Sequence, residues 1–338
     1  MMGRTAVLTM MMLATTAASA ATPAYKAAGS IPLGAPDRWD YIVLDPDSGR
    51  VYVAHSDTLT VVDGRSAILV GRVEGISGGA HGTALSAATG QGFTDDGRNG
   101  VAVAFDLKTL KINRQIPADK DADAIASDAS NGHMFVIEGD PGAITVIDPK
   151  TDQAVATIKV GEKMEYGVGD DRGALYVAGE EKHDLVRIDT RTNQVTAHWA
   201  APTCDSPHGL ALDRIAHRAF MGCVNNRMMV FDTVKGRVVA ELTIGKGSDA
   251  IAFDPVRKRV FSSNGGDGTI TVYQQVSPDR YTALEPIPTA ISGRTMTVDP
   301  KTGRLFVAAA DTDPNPTPGG RPRPRPGTLR LMMFDPTG

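Results

Sequence analysis

A pattern of three short apolar runs returns along this chain every 41 to 45 residues. Clear copies read Tyr41-Ile-Val-Leu-Asp-Pro46, Val51-Tyr-Val-Ala54 and Leu59-Thr-Val-Val-Asp63. A second set is Ala124-Ile-Ala-Ser-Asp128, Met134-Phe-Val-Ile137 and Ile144-Thr-Val-Ile-Asp148; a third is Ala250-Ile-Ala-Phe-Asp-Pro255, Val260-Phe-Ser-Ser263 and Ile270-Thr-Val-Tyr273. β-Branched and aromatic residues fill the runs, and Asp, Gly and Pro separate them, which is strand and turn chemistry. A period of this length built from short strands predicts an all-β chain, a β-propeller with one four-stranded antiparallel blade per repeat.

Strand a of each repeat ends at an Asp-type turn: Asp45-Pro46, Asp128, Asp170, Asp213, Asp254-Pro255 and Asp299-Pro300, with Ala87-Ala-Thr-Gly90 as the irregular member. That makes seven blades. Strand c closes on Asp63, Asp106, Asp148, Asp189, Asp232 and Asp335, and blade 6 has Gln274 in that slot. The seventh blade runs out of chain before a strand d. The segment Ala24 to Leu33, ahead of the first strand a, is expected to complete it and so remove an open sheet edge. The Met228-Met229 and Met332-Met333 pairs fall in strand c, where alternation turns them into blade packing rather than toward a ligand.

Residues 1–20 read as a secretory signal, with Arg4 ahead of an apolar stretch from Ala6 to Ala14 and a small-residue site at Ala18-Ser-Ala20. The expectation is a periplasmic or secreted protein, one propeller domain over 21–338, with no transmembrane segment because the apolar stretch is too short to span a bilayer. A net charge of −4 argues against a nucleic-acid binder. Export makes a Cys204–Cys223 disulfide the default expectation, with a soft Cys/His copper site as the functional alternative. Residues 311–327, Asp-Thr-Asp-Pro-Asn-Pro-Thr-Pro-Gly-Gly-Arg-Pro-Arg-Pro-Arg-Pro-Gly, interrupt blade 7 between strands b and c. So many prolines favour an extended conformation without a ladder. The insertion reads as a solvated loop, a lid, or a ligand for a partner's aromatic groove, with Arg321, Arg323 and Arg325 outside.

The strand-b motif resembles that of the YVTN-repeat (YncE-like) propellers of exported bacterial proteins, over essentially the whole chain after residue 20. It stands as Tyr52-Val-Ala-His55, Phe93-Thr-Asp-Asp96, Phe135-Val-Ile-Glu138, Tyr176-Val-Ala-Gly179, Phe220-Met-Gly-Cys223, Phe261-Ser-Ser-Asn264 and Phe306-Val-Ala-Ala309. The resemblance implies a seven-bladed propeller; its members include binding proteins, and related propellers include lactonases. Only Asn264 keeps the family's last residue, so the b–c turns are individualised.

Five residues before each strand-a turn stands an ionisable group: Asp40, His81, Asp123, Glu165, His208, Asp249 and Arg294. Their spacings are the blade period itself, and only 22% of the chain is charged, so a hit in every blade is not an accident of composition. In a propeller this position faces the channel at its mouth. A polar, mostly acidic funnel is therefore predicted, joined there by His55, Asp96, Glu138 and His183.

Three readings remain open. The ring residues cap backbone groups and bind channel water. Alternatively His81, His208, Asp40, Asp123, Glu165 and Asp249 hold a divalent metal; mixed imidazole and carboxylate suits Zn, Mn, Fe or Ni, and carboxylates with water suit Ca. Or crowded carboxylates and a histidine do acid–base chemistry unaided. The catalytic candidates are His81, His208 and Glu165; the substrate-binding candidates are Arg294, for an anionic group, with His55, Glu138 and His183. The implied activity is that of a lactonase-like hydrolase or a lyase on a small polar molecule. The alternative is an envelope scaffold that uses rim loops for a protein partner.

Overall fold

The computed structural model describes residues 23–313 and 322–337. The expected signal over residues 1–20 and the tip of the insertion, including Arg321, lie outside the described residues. Seven antiparallel sheets form a closed ring, each laid out a-b-c-d from the centre outward. Strands a are Ile42–Leu44, Thr83–Ser86, Ala122–Asp128, Met164–Gly169, Pro207–Asp213, Ser248–Asp254 and Thr295–Val298. The ring closes as expected: Tyr25–Pro32 lies antiparallel to strand c of blade 7, Arg330–Pro336, with Tyr25 opposite Pro336 and Pro32 opposite Arg330. A bulge leaves Ala28 unpaired beside Gly29, whose φ of 117° suits glycine alone, and keeps the rest of this pairing in step.

The repeated aromatic of strand b explains why the period is kept. Tyr52, Phe93, Phe135, Tyr176, Phe220, Phe261 and Phe306 are all buried, and each belongs to a different one of seven apolar clusters. Each cluster joins one blade to the next. Phe135, for example, packs with Ile137, Val146 and Ile158 of its own blade and with Leu175 and Val177 of blade 4. The core is therefore seven equivalent interfaces. Losing one of these aromatic side chains is expected to cost about 3–5 kcal/mol. Met228 and Met229 are both buried, facing opposite neighbours, as core residues do.

The repeated aspartates close turns through backbone N–H groups. Asp63 Oδ1 accepts from Arg65 and Ser66, Asp232 Oδ1 from Val234 and Lys235, and Asp254 Oδ1 from Val256 and Arg257. Blade 6 shows the consequence of lacking one. With Gln274 in that slot, strand c runs on as Thr269–Ser277, and the outer position is filled in two pieces, Arg280–Ala283 and Ile287–Pro288.

The insertion departs from the expected ladder-free loop. Its two ends pair as a short antiparallel ribbon: Asp313 N donates to Arg323 O, Arg325 N donates to Asp311 O, and Thr312 faces Pro324. Alternation of Arg and Pro permits this, because every second residue keeps its N–H and those N–H groups share one edge. Asp37, just after the closing strand, accepts from the N–H groups of Gly327, Thr328 and Leu329 at 2.6 to 2.9 Å and clamps the returning arm.

Candidate functional site

The ring residues owe their aim to local breaks in the strand a–strand b ladder. Register slips at Asp123, at Glu165-Tyr166, at His208-Gly209 and at Asp249. A bulge leaves one residue unpaired and re-aims its side chain, here toward the channel. Each of the four falls on the ionisable position, so the departure from apolar alternation visible in the sequence is a departure in backbone geometry as well.

The structure then divides the ring into two groups. On the side of blades 4 to 7, His208 Nε2 stands 4.0 Å from Glu165 Oε1 and 3.9 Å from Asp249 Oδ1. The other Asp249 oxygen takes a 2.7 Å bond from Arg294, whose guanidinium also lies 3.9 Å from Asp40. His208 Nδ1 is 2.8 Å from Ser206 O; in the neutral ring it therefore carries the proton, and Nε2 presents its lone pair to the two carboxylates. One ligand atom from each of Glu165, His208 and Asp249 can be chosen so that all lie within 4.8 Å of one another.

On the other side, His81 is held by Asp95. The fully buried carboxylate lies 2.7 Å from His81 Nδ1 and accepts from the backbone N–H groups of His81 and Gly82. Burial disfavours the imidazolium, but Asp95, with Asp40 and Asp123 beyond it, outweighs that and raises the His81 pKa to about 9. His81, Asp40 and Asp123 do not join the three-residue cluster of Glu165, His208 and Asp249. Asp95 was not among the expected site residues. It stands in the third slot of the strand-b motif, where the other blades carry Ala54, Ile137, Ala178, Gly222, Ser263 and Ala308, and that mismatch is the signal that marks it.

Three further expectations end elsewhere. His55 and Glu138 are fully buried inside their blades. His55 is bonded to Thr60 and the Pro36 carbonyl, and Glu138 Oε1 accepts from Asp119 N and Thr145 Oγ1. They tie strand b to strand c and the loops, as Asn264 does with Thr269 and Thr271. Burial lowers the pKa of His55 and raises that of Glu138. His183 turns its Nδ1 to Cys204 O. The structure thus brings none of the three to the ring group, and of the expected substrate-binding set only Arg294 stands there. Asp96 is likewise buried, within bonding distance of Asn99. Cys204 and Cys223 form the expected disulfide, leaving no thiolate for copper.

The funnel has a floor that periodicity did not reveal. Tyr41 of blade 1 and Tyr166 of blade 4 meet across the channel with ring centroids 4.3 Å apart, and Tyr41 OH lies 3.4 Å from Glu165 Oε1. Below them a wider cavity of about 760 Å3, lined by strand-a residues, opens toward the opposite face. Above them the charge is crowded. Burial raises Asp40 to about 6, Asp123 to about 7 with help from Asp121, and Glu165 to about 9 with help from Asp123, Asp249 and Asp40.

A cavity of about 330 Å3 lies off the axis, on the side of His208, Asp249 and Arg294. Trp39 forms one wall, with the Arg294 guanidinium 5.7 Å from its ring centroid. Pro322 and Pro324 of the insertion reach its rim. The cavity thus combines the Arg294 guanidinium, the carboxylates of Asp37 and Asp249 and the apolar Trp39 wall, with Pro322 and Pro324 at its rim.

The fold and this cavity define the class: a seven-bladed β-propeller with an asymmetric funnel at one mouth of its channel. Solved propellers share the fold at low identity. The chain superposes on the structure of U3-55K with a TM-score of 0.78, 12% identity, and coverage of 90% of this chain and 97% of that one. For Kuenenia stuttgartiensis hydrazine synthase the score is 0.69 at 14% identity, covering 79% of this chain and 91% of that one. A mitotic checkpoint complex chain gives 0.74 at 14%, with 98% of each chain covered. No family model and no curated protein matches this sequence.

Proposed function

We propose that this is an exported propeller of the YVTN-repeat kind whose funnel binds a small polar molecule through a divalent cation held by Glu165, His208 and Asp249. The observation that carries the reading is the convergence of those three ligand atoms, with His208 Nδ1 already engaged by a backbone carbonyl. A metal-binding histidine commonly donates its other N–H in this way. The donor set of one imidazole and two carboxylates fits Zn, Mn or Fe, and a cation there would offset the burial and the neighbouring carboxylates that together raise Glu165. When bound, it would polarise a carbonyl or acidify a water. The protein's own residues do the rest. Arg294 anchors an anionic group, Trp39 and the proline arm exclude solvent, and Tyr41 OH fixes Glu165. The chemistry supported is hydrolysis of the lactonase sort, or a lyase step.

Elemental analysis of protein purified without chelators tests the reading. One equivalent of metal should be lost in His208→Ala and kept in His81→Ala, and activity in a screen of lactones and sugar acids should follow it. Metal content unchanged in His208→Ala would sink the proposal.

A second reading, an envelope scaffold, is favoured by one feature. Ile68, Leu69 and Val70 on the outer strand of blade 1 are 60%, 47% and 40% exposed, an apolar run on a free sheet edge. On this reading charged substitutions at Ile68 and Val70 abolish partner capture, whereas His208→Ala leaves it intact.

A further inference from the structure

Outside the funnel, blade 4 carries a second group of ligand-type side chains that the funnel chemistry does not use. Glu162 comes from the loop that leads into strand a, Asp184 begins strand c (Asp184–Asp189), and His198 lies on strand d (Gln194–Ala200). Val186 pairs with His198 and Asp184 with Ala200, so Asp184 and His198 share one face of the sheet, one diagonal step apart. His198 Nδ1 is 2.9 Å from Asp184 Oδ2 and 3.1 Å from Glu162 Oε1. Ligands of a tetrahedral zinc ion, bonded at about 2.0–2.1 Å, stand about 3.4 Å from one another. The imidazole nitrogen is therefore already close to ligand spacing from both carboxylates.

The burial is what makes this more than a surface cluster. Glu162 and Asp184 are only 3% and 4% exposed. Glu162 Oε1 and Asp184 Oδ1 accept no hydrogen bond from any described residue. Nδ1 has at most one proton, which serves Asp184 Oδ2. The Lys182 ammonium is 3.6 Å from Glu162 Oε1 and half exposed, leaning instead on Gly161 O. Two desolvated carboxylates side by side with unfilled lone pairs are costly unless a cation joins them.

Space for both is left by Gly179, the one glycine at the end of a strand b. A Cβ there would stand 2.2 Å from Asp184 Oδ1 and 2.6 Å from Glu162 Oε2. The other blades carry His55, Asp96, Glu138, Cys223, Asn264 and Ala309 at this point. In blade 4 the slot has been vacated, and two carboxylates from neighbouring segments enter it.

We infer that Glu162, Asp184 and His198 form a second divalent-cation site, built into the wall of blade 4 and independent of the funnel. The imidazole selects a first-row transition ion over Ca2+, and with two carboxylates beside it the donor set, like that of the funnel, suits Zn2+, Mn2+ or Fe2+. Its effect is to staple the loop before strand a to strands c and d. His198 Nε2 then carries the ring proton, on the solvent side.

The test is Zn2+ titration of the His208→Ala protein, in which the funnel site is disabled, by calorimetry and by thermal unfolding. About one equivalent should bind and raise the melting temperature. Adding His198→Ala should weaken binding at least about tenfold and abolish the thermal shift. His198 is the exposed member, so this variant keeps the fold, which circular dichroism verifies. Lys182→Ala should tighten binding by removing the competing ammonium, and Ca2+ should not compete. Absence of saturable Zn2+ binding to His208→Ala, or equal affinity with and without His198, overturns the assignment.

Discussion

The two histidines of the ring stand at equivalent positions of blades 2 and 5, yet their surroundings have made different groups of them. His81 is locked to a buried carboxylate from its own strand b, with both Asp95 oxygens spent on it and on the adjoining backbone. His208 has no such partner; its Nδ1 goes to a backbone carbonyl, and its Nε2 faces two carboxylates at 3.9 and 4.0 Å. The difference comes from one residue. Blade 2 carries Asp95 in the strand-b slot that blade 5 fills with Gly222. A side chain at the same height and angle is structural where its neighbour supplies a counter-charge and available for chemistry where it does not.

That contrast puts the largest expected effect at Asp95. Asp95→Ala strips the buried counter-charge from the half-buried His81 imidazolium and unpins two backbone N–H groups, and is expected to cost about 3 kcal/mol in urea unfolding. The cation content of the funnel should not change. A loss of metal with little loss of stability would reverse the roles assigned to the two histidines.

The same pair predicts a pH dependence. The folded pKa of His81, about 9, lies above the unfolded value near 6.5. Its contribution is therefore complete below about pH 6.5 and is lost as pH rises through 9. The full span is on the order of 3 kcal/mol. Glu165, raised as well, loses stability in the same direction, so His81 must be isolated as the difference between wild type and His81→Gln, both with chelator present. That difference should shrink between pH 6.5 and 9. A difference that grows with pH would show that His81 is held neutral.

His208→Ala should do the opposite of Asp95→Ala. Loss of one ligand is expected to lower funnel cation affinity on the order of 100-fold, while unfolding free energy shifts by no more than about 1 kcal/mol. Calorimetry with Zn2+ on a His198→Ala background, paired with a urea titration, reads both quantities on one protein.

Much of this molecule could be read in its sequence, for a reason that also marks the limit. The repeat is written by residues that face the next blade, such as Phe135 and Phe306, and by aspartates that close turns on their own backbone. Both interactions recur blade by blade, so counting them yields seven blades, a closing segment within Ala24 to Leu33 and the ring of seven ionisable groups. The disulfide was expected from the reading of residues 1–20 as a secretory signal, and the structure pairs Cys204 with Cys223. What a period cannot carry is the identity of a contact made once. The Tyr41–Tyr166 floor spans two blades on opposite sides of the ring. The inward turn of His55 and Glu138 depends on the threonines Thr60 and Thr145 on the facing strand c. The off-axis cavity has Pro322 and Pro324 of the insertion at its rim, a contact made in one blade only, and the ribbon that carries them needed the Arg-Pro alternation to be considered edge by edge.

That arm offers the smallest and most selective probe of the two sides. Asp37 spends its carboxylate on Gly327, Thr328 and Leu329, and lies with Pro322 and Pro324 at the cavity on the His208 side. Asp37→Ala removes three charge-assisted bonds at a partly solvated site, with a local cost of about 1–2 kcal/mol. Amide hydrogen exchange at Gly327 to Leu329 should accelerate about five- to thirtyfold. Exchange at Gly82, whose N–H is held by Asp95 on the other side, should be unaffected. Any bound small molecule should dissociate faster from the variant, since the arm is the part of the cavity that can open without disturbing a blade. Equal acceleration on both sides would mean that Asp37 supports the whole ring closure through the Tyr25–Pro32 strand, and the arm would then be a strut rather than a cover.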